Sequence, residues 1–189
     1  MKANFSSKIV GLAVGALMLV ALFAPAGAQN WKANSKAPLF SGKASDGKTY
    51  VLKDLLKSKK PTVVYCIGNT CPVNSQAVKY YNNIAAAYKG KVNFIGVIDT
   101  DEAGYKVWQK RFNAPFPVIF DPELKIISSY KAERSPWTFM IDAKGVIVQE
   151  WPGYSIGELN QLGDAIAKAN KIKAVKLDTK GAPDQPRYG

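Results

Sequence analysis

Histidine is missing from all 189 residues, and cysteine occurs only at Cys66 and Cys71. Without an imidazole, Ser-His-Asp and Cys-His hydrolysis, His-ligated zinc and copper and His-bound haem are excluded. With two thiols, a four-thiolate metal site is excluded as well. Acidic residues are also scarce: 14 Asp and Glu stand against 26 Lys and Arg, a net charge of +12. The lysines are spread along the chain rather than gathered with aromatics, so the excess is read as a basic surface and no nucleic-acid site is expected. After the first 28 residues no apolar run is long enough to span a bilayer. Thiol chemistry, carboxylate chemistry or no chemistry remains. No metal and no cofactor are expected.

What is present begins with an address. Lys2 and Lys8 precede a continuous apolar or small run over residues 9–24, and Ala26-Gly27-Ala28 follows. A basic start, an apolar centre and an A-x-A site describe a secretory signal peptide over 1–28, cleaved near Ala28-Gln29. Pro25 and Gly27 break the run, and it falls short of the roughly 20 residues of a spanning helix. No stable membrane anchor is therefore expected after cleavage, and the protein is expected to be bacterial and periplasmic or secreted. The remaining chain of about 160 residues suits one well-buried domain. Residues 29–36 read as a lead-in, 37–170 as the domain, and 171–189, poor in large apolar side chains, as a mobile tail.

Periodicity orders the domain. Leu39-Phe40, the turn formers Ser45-Asp46-Gly47 and residues 49–52 read as a β-hairpin, followed by a short helical turn over 53–56. Residues 62–67 are β-branched, aromatic and uncharged, as a strand covered on both faces must be. Gly68-Asn69-Thr70 breaks that strand, and Pro72 suits the first turn of a helix whose apolar positions recur until Gly90. A strand over 92–98, a helix over 101–112 with acids first and bases last, a strand over 116–120 and a helix over 122–130 follow. Residues 137–141 and 146–151 flank a turn as a second hairpin. Ser155 and Glu158 form a capping-box pattern opening the last helix, to about Ala169. Alternating βα units closed by a hairpin and a helix give an α/β fold: a central mixed β-sheet flanked by helices, with an N-terminal β-hairpin.

Cys71 stands at the first βα turn, where such sheets usually place their sites. The free amides and positive pole of a helix N-terminus stabilise a thiolate and lower a cysteine pKa from about 8.5. Cys71 is therefore the expected nucleophile, with Thr70 or Cys71 itself as the helix cap. Cys66, inside a strand, reads as a core residue or as a partner of Cys71; whether the two join in a disulfide is left open by their spacing.

Four segments resemble the thioredoxin-like superfamily, in particular exported redoxins of the AhpC/TSA and TlpA/ResA kind, over roughly residues 37–169. They are Ala37-Pro38-Leu39-Phe40 with Leu52-Lys53-Asp54-Leu55, residues 62–72, Phe116-Pro117-Val118-Ile119-Phe120-Asp121-Pro122, and residues 135–142 with Gly145. The resemblance implies a thioredoxin-like fold in which Ser135 and Pro136 form a cis-proline loop facing the substrate opposite Cys71. Trp137 and Asn74 are placed with them in the substrate-facing set, and Cys71, Cys66 and Thr70 in the catalytic set. The departures are equally specific. Asn74 occupies the place of the second cysteine of Cys-x-x-Cys, and Tyr65 that of the acid often buried beneath it. Gly68 lies where peroxiredoxins carry Thr or Ser, and Arg134 is only near the place of their arginine.

Two functions follow as expectations. The first is an exported thiol-dependent oxidoreductase, by disulfide exchange or antioxidant peroxide reduction. Its partners are a protein disulfide or peroxide and an external thiol reductant. The second is a thioredoxin-fold binding protein without turnover, holding a partner in an exposed groove beside Trp137 and Trp151.

Overall fold

The computed structural model describes Met1, Trp31 and residues 34–189. The expected signal peptide and most of the lead-in lie outside the described residues. Among those described, no helix is long and apolar enough to cross a membrane.

Two short strands, β1 (Ser41–Lys43) and β2 (Thr49–Val51), pair antiparallel, and helix α1 (Leu52–Lys57) follows at once. Then come β3 (Thr62–Ile67), α2 (Pro72–Ala87), β4 (Asn93–Ile98), α3 (Glu102–Phe112), β5 (Val118–Phe120), α4 (Lys125–Ser129), β6 (Trp137–Ile141), β7 (Ile147–Pro152) and α5 (Ile156–Ala169). The main sheet has the order β5-β4-β3-β6-β7. β3 runs parallel to β4, and β4 to β5, while β3–β6 and β6–β7 are antiparallel. The chain therefore has the mixed, helix-flanked sheet and separate hairpin expected of the fold.

Every residue of β3 is buried, because the strand is central and covered on both faces. Its alternation divides the core. Val63, Tyr65 and Ile67 join Ala77, Tyr81, Ile84, Leu162 and Ile166 on the α2/α5 side. Val64 and Cys66 join Phe40, Leu52, Ile126 and Phe139 on the opposite side. Since strand side chains alternate, a slip of one residue would exchange the two sets. That pattern holds the end of β3, and with it the following loop, in one place.

Helix ends follow their local chemistry. Asp101 accepts from the Gly104 amide at 2.9 Å and opens α3; Lys110 and Arg111 close it against the negative pole. Ser155 accepts from the Glu158 amide at 3.2 Å and opens α5. The helix expected over 122–130 is shorter, because Leu124 adopts a left-handed conformation (φ 56°) just before it. The buried Asp121 carboxylate caps this late start, accepting from the Ile126 and Ile127 amides at 2.9 and 2.8 Å.

In place of the mobile end expected for 171–189, the structure has a strap docked on the domain. The Val175 amide donates to the Tyr88 hydroxyl, and the Tyr80 hydroxyl donates to the Lys180 carbonyl, both at 3.0 Å. The Ile156 amide donates to the Pro183 carbonyl, and Tyr154 and Arg187 exchange a pair of main-chain bonds. Leu177 and Ala182 add packing against the α2/α5 core. Composition understated this segment because most of its attachment is main-chain hydrogen bonding, which side-chain hydropathy does not report.

Candidate active site at the β3–α2 junction

Cys71 is the N-cap of α2, with Pro72 at the first helical position. Its Sγ accepts from the Asn74 amide at 3.4 Å, so the sulfur lies at the positive end of a 16-residue helix. The same sulfur is 3.5 Å from the Ser135 carbonyl, to which S–H donates. Cys71 is partly exposed, and it lines a cavity of about 270 Å³ with Cys66, Thr70, Asp99, Ser135 and Gly189. The loop before it is pinned by the Asp99 carboxylate, which accepts from the Asn69 amide at 2.7 Å.

The Ser135–Pro136 bond is cis, and Ser135 meets the cysteine loop directly. Its Oγ accepts from the Gly68 amide at 2.7 Å and from Asn74 Nδ2 at 2.8 Å. Asn74 Oδ1 in turn accepts from the Tyr65 hydroxyl at 3.0 Å. Tyr65 and Asn74 are both fully buried, and their side-chain donors both find acceptors. Such a satisfied buried network fixes geometry, since loss of any member strands another polar group. Gly68 permits the closeness: a Cβ there would lie 2.9 Å from Cys71 Cβ and 3.1 Å from Ser135 Cβ.

The structure sorts the expected residues. Cys71 and Ser135 converge on the cavity, whereas Pro136 is buried and does not line it; Thr70 stands exposed at the cavity rim, and the Asn74 amide meets the sulfur. Asn74, expected to face the substrate, is sealed from solvent, does not line the cavity and donates to Ser135 Oγ. Trp137 is also buried, donating through Nε1 to Glu150 at 2.9 Å and stacked against Phe139. Trp151 is buried too, so the expected exposed groove beside the two indoles is absent. Strand alternation explains Trp137: its side chain follows the core face shared with Phe139 and Ile141.

Cys66 and Cys71 are both free thiols. Cys66 is only 1% exposed, and burial, with the Asp121 charge as a lesser cause, pushes its thiol well above the usual range. At neutral pH it is therefore protonated, which weakens it as an attacking group. Sequence reasoning noted Tyr65 only as a replacement. Its hydroxyl pairs with Asn74 nine residues on, so the residue in place of the buried acid bonds the residue in place of the second cysteine.

A mixed sheet with a cysteine capping the first long helix, opposite a cis-proline loop, defines a thioredoxin-like protein. The family model described as Redoxin matches residues 32–166, and the chain belongs to that family. It is 32% identical over 117 residues to the thiol-disulfide oxidoreductase ResA of Bacillus cereus, covering 61% of this chain and 66% of that protein. The Bacillus anthracis protein of the same name is 29% identical over 144 residues, covering 75% and 81% of the two chains. Among solved structures, the thioredoxin domain of a thiol-disulfide oxidoreductase from Bacteroides vulgatus superposes with a TM-score of 0.63. It is 20% identical and covers 72% of this chain and 99% of that one, a likeness of fold.

Proposed function

We propose that the protein is an exported thiol-disulfide oxidoreductase with one working sulfur. Convergence of Cys71 Sγ, the Asn74 amide and Ser135 beside an open cavity carries this reading. The similarity to ResA proteins supports it. The Cys71 thiolate attacks one sulfur of a protein disulfide, forming a mixed disulfide and releasing the other sulfur as thiolate. An external thiolate then attacks the Cys71 sulfur of that bond, frees the substrate thiol and leaves Cys71 joined to the reductant. A second reductant thiol restores Cys71, so two external thiols supply the two electrons. An external donor is favoured over Cys66 because Cys66 is buried and protonated.

Disulfide exchange fits the cavity better than peroxide reduction. A Thr or Ser at position 68 has no room against Cys71 and Ser135, and the Arg134 guanidinium is engaged over the Tyr188 ring at 4.4 Å. Export is supported by Lys2, Lys8, the apolar run and Ala26-Gly27-Ala28. The domain is proposed to occupy residues 37–170.

The test is insulin-disulfide reduction with glutathione as donor. Cys71→Ser should abolish turnover, and Cys66→Ala should retain most of it. Undiminished turnover in Cys71→Ser, or none in the unaltered protein with any thiol donor, would remove the oxidoreductase reading.

A further inference from the structure

The strap reaches the Cys71 sulfur. The Gly189 amide donates to the Ser135 carbonyl at 2.8 Å, and the Ser135 amide donates to the Gly189 carbonyl at 3.0 Å. This reciprocal exchange is how two antiparallel residues pair in a sheet. Two residues earlier, Arg187 makes the same exchange with Tyr154, at 3.0 and 2.9 Å. Between them the Tyr188 ring lies against the Arg134 guanidinium. The last three residues thus lie as an extended segment across the loop that faces Cys71. The backbone at Gly153 approaches the strap closely: a Cβ there would meet the Arg187 carbonyl oxygen at 2.5 Å.

Position 189 is the informative one. A Cβ on Gly189 would lie 2.7 Å from Cys71 Sγ. The strap therefore places at the sulfur a residue with no side chain, where a cysteine would bring a second sulfur within bonding reach. Residues 167–189 lie beyond the stretch matched by the family model.

We infer that the C-terminal strap is a built-in occupant of the Cys71 site, held in the register of an extended polypeptide substrate whose cysteine would take the place of Gly189. Its occupancy stands on geometry alone; its role as a brake on turnover rests on the oxidoreductase reading. A substrate segment must displace Gly189 from Ser135 and repeat its two main-chain bonds. The two main-chain bonds at Ser135 accordingly suit an extended protein segment as the disulfide substrate. Because the strap carries no sulfur, it fills the site without reacting.

Two measurements on the full chain test this. In Gly189→Cys, treatment with the azo oxidant diamide should take two electrons and two protons from the two thiols, joining Cys71 to the introduced cysteine within one molecule. Peptide mapping and non-reducing electrophoresis read the bond; its absence, or a bond only between two molecules, would overturn the inference. Separately, Arg187→Pro combined with Gly189→Val removes one paired N–H and places a branched side chain against the sulfur. If the strap is docked nine-tenths of the time, this variant should raise the iodoacetamide alkylation rate of Cys71 about tenfold. A synthetic peptide of residues 183–189 should lower that rate again. Equal rates in the variant and the unaltered protein would also overturn it. Faster alkylation without insulin turnover would leave the strap in place and remove the oxidoreductase reading; equal rates with turnover would do the reverse.

Discussion

The Tyr65 hydroxyl donates to Asn74 Oδ1 at 3.0 Å, beneath the cysteine that caps α2. This bond ties the central strand to the helix, and Asn74 passes the constraint to Ser135 through its amide nitrogen. The cysteine and the cis-proline loop are thereby held at one distance by two buried side chains.

Tyr65→Phe keeps the ring, stacked on Tyr81 at 4.0 Å, and removes only the hydroxyl. Asn74 Oδ1 is then buried without a donor, at a cost of about 1–3 kcal/mol. The urea midpoint should fall with an unchanged m-value. A midpoint equal to that of the unaltered protein would show that the bond contributes nothing.

Asn74→Cys creates Cys-x-x-Cys with Cys71. Because the residue-74 backbone already lies against Cys71 Sγ, the oxidised variant should carry an internal 71–74 disulfide, and turnover should lose its need for a glutathione-linked intermediate. Tyr65 and Ser135 lose a partner, so the reduced form should be less stable by about 1–3 kcal/mol. Intact mass before and after reduction, with urea unfolding, checks both.

Selective alkylation distinguishes the thiols. Iodoacetamide should modify Cys71 in the folded protein and leave Cys66, buried and raised in pKa, unmodified until urea unfolds the chain. Labelling of Cys66 at the rate of Cys71 under native conditions would refute the assignment of one working sulfur.

Glu158 provides a pH test away from the site. Burial raises its carboxyl from 4.5 to about 7, with the Ser155 hydrogen bond a smaller opposing effect. The unfolded chain releases this proton first, so the folded state binds more protons between those values. Stability linked to Glu158 is therefore present below 4.5, declines as pH rises, and is lost above about 7. Glu158→Gln should flatten that decline and raise the urea midpoint at about pH 8. An unchanged slope between the two pKa values would contradict it.

Much of the architecture was legible in the chain. Residues 62–67 gave a central strand by their unbroken apolar run, and Pro72 gave the start of α2. Ser155 with Glu158 gave the start of α5, because these signals are local and depend on neighbours within a few positions. Cys71 was legible as the residue at the strand–helix junction, where the structure makes it the cap of α2, for the same reason. The burial of Asn74 and Trp137 was not, since polar and aromatic residues beside a cavity face either way.

The sequence by itself determined the element order, the exclusion of imidazole chemistry and the place of one cysteine at a strand–helix turn. Tertiary structure alone decided that Asn74 is buried under Tyr65, that Cys66 is sealed in the core, and that Gly189 returns from the far end of the chain to lie on Cys71. The reason is physical. Propensity and capping act over a single turn, whereas burial and main-chain pairing between distant segments exist only once the sheet has assembled.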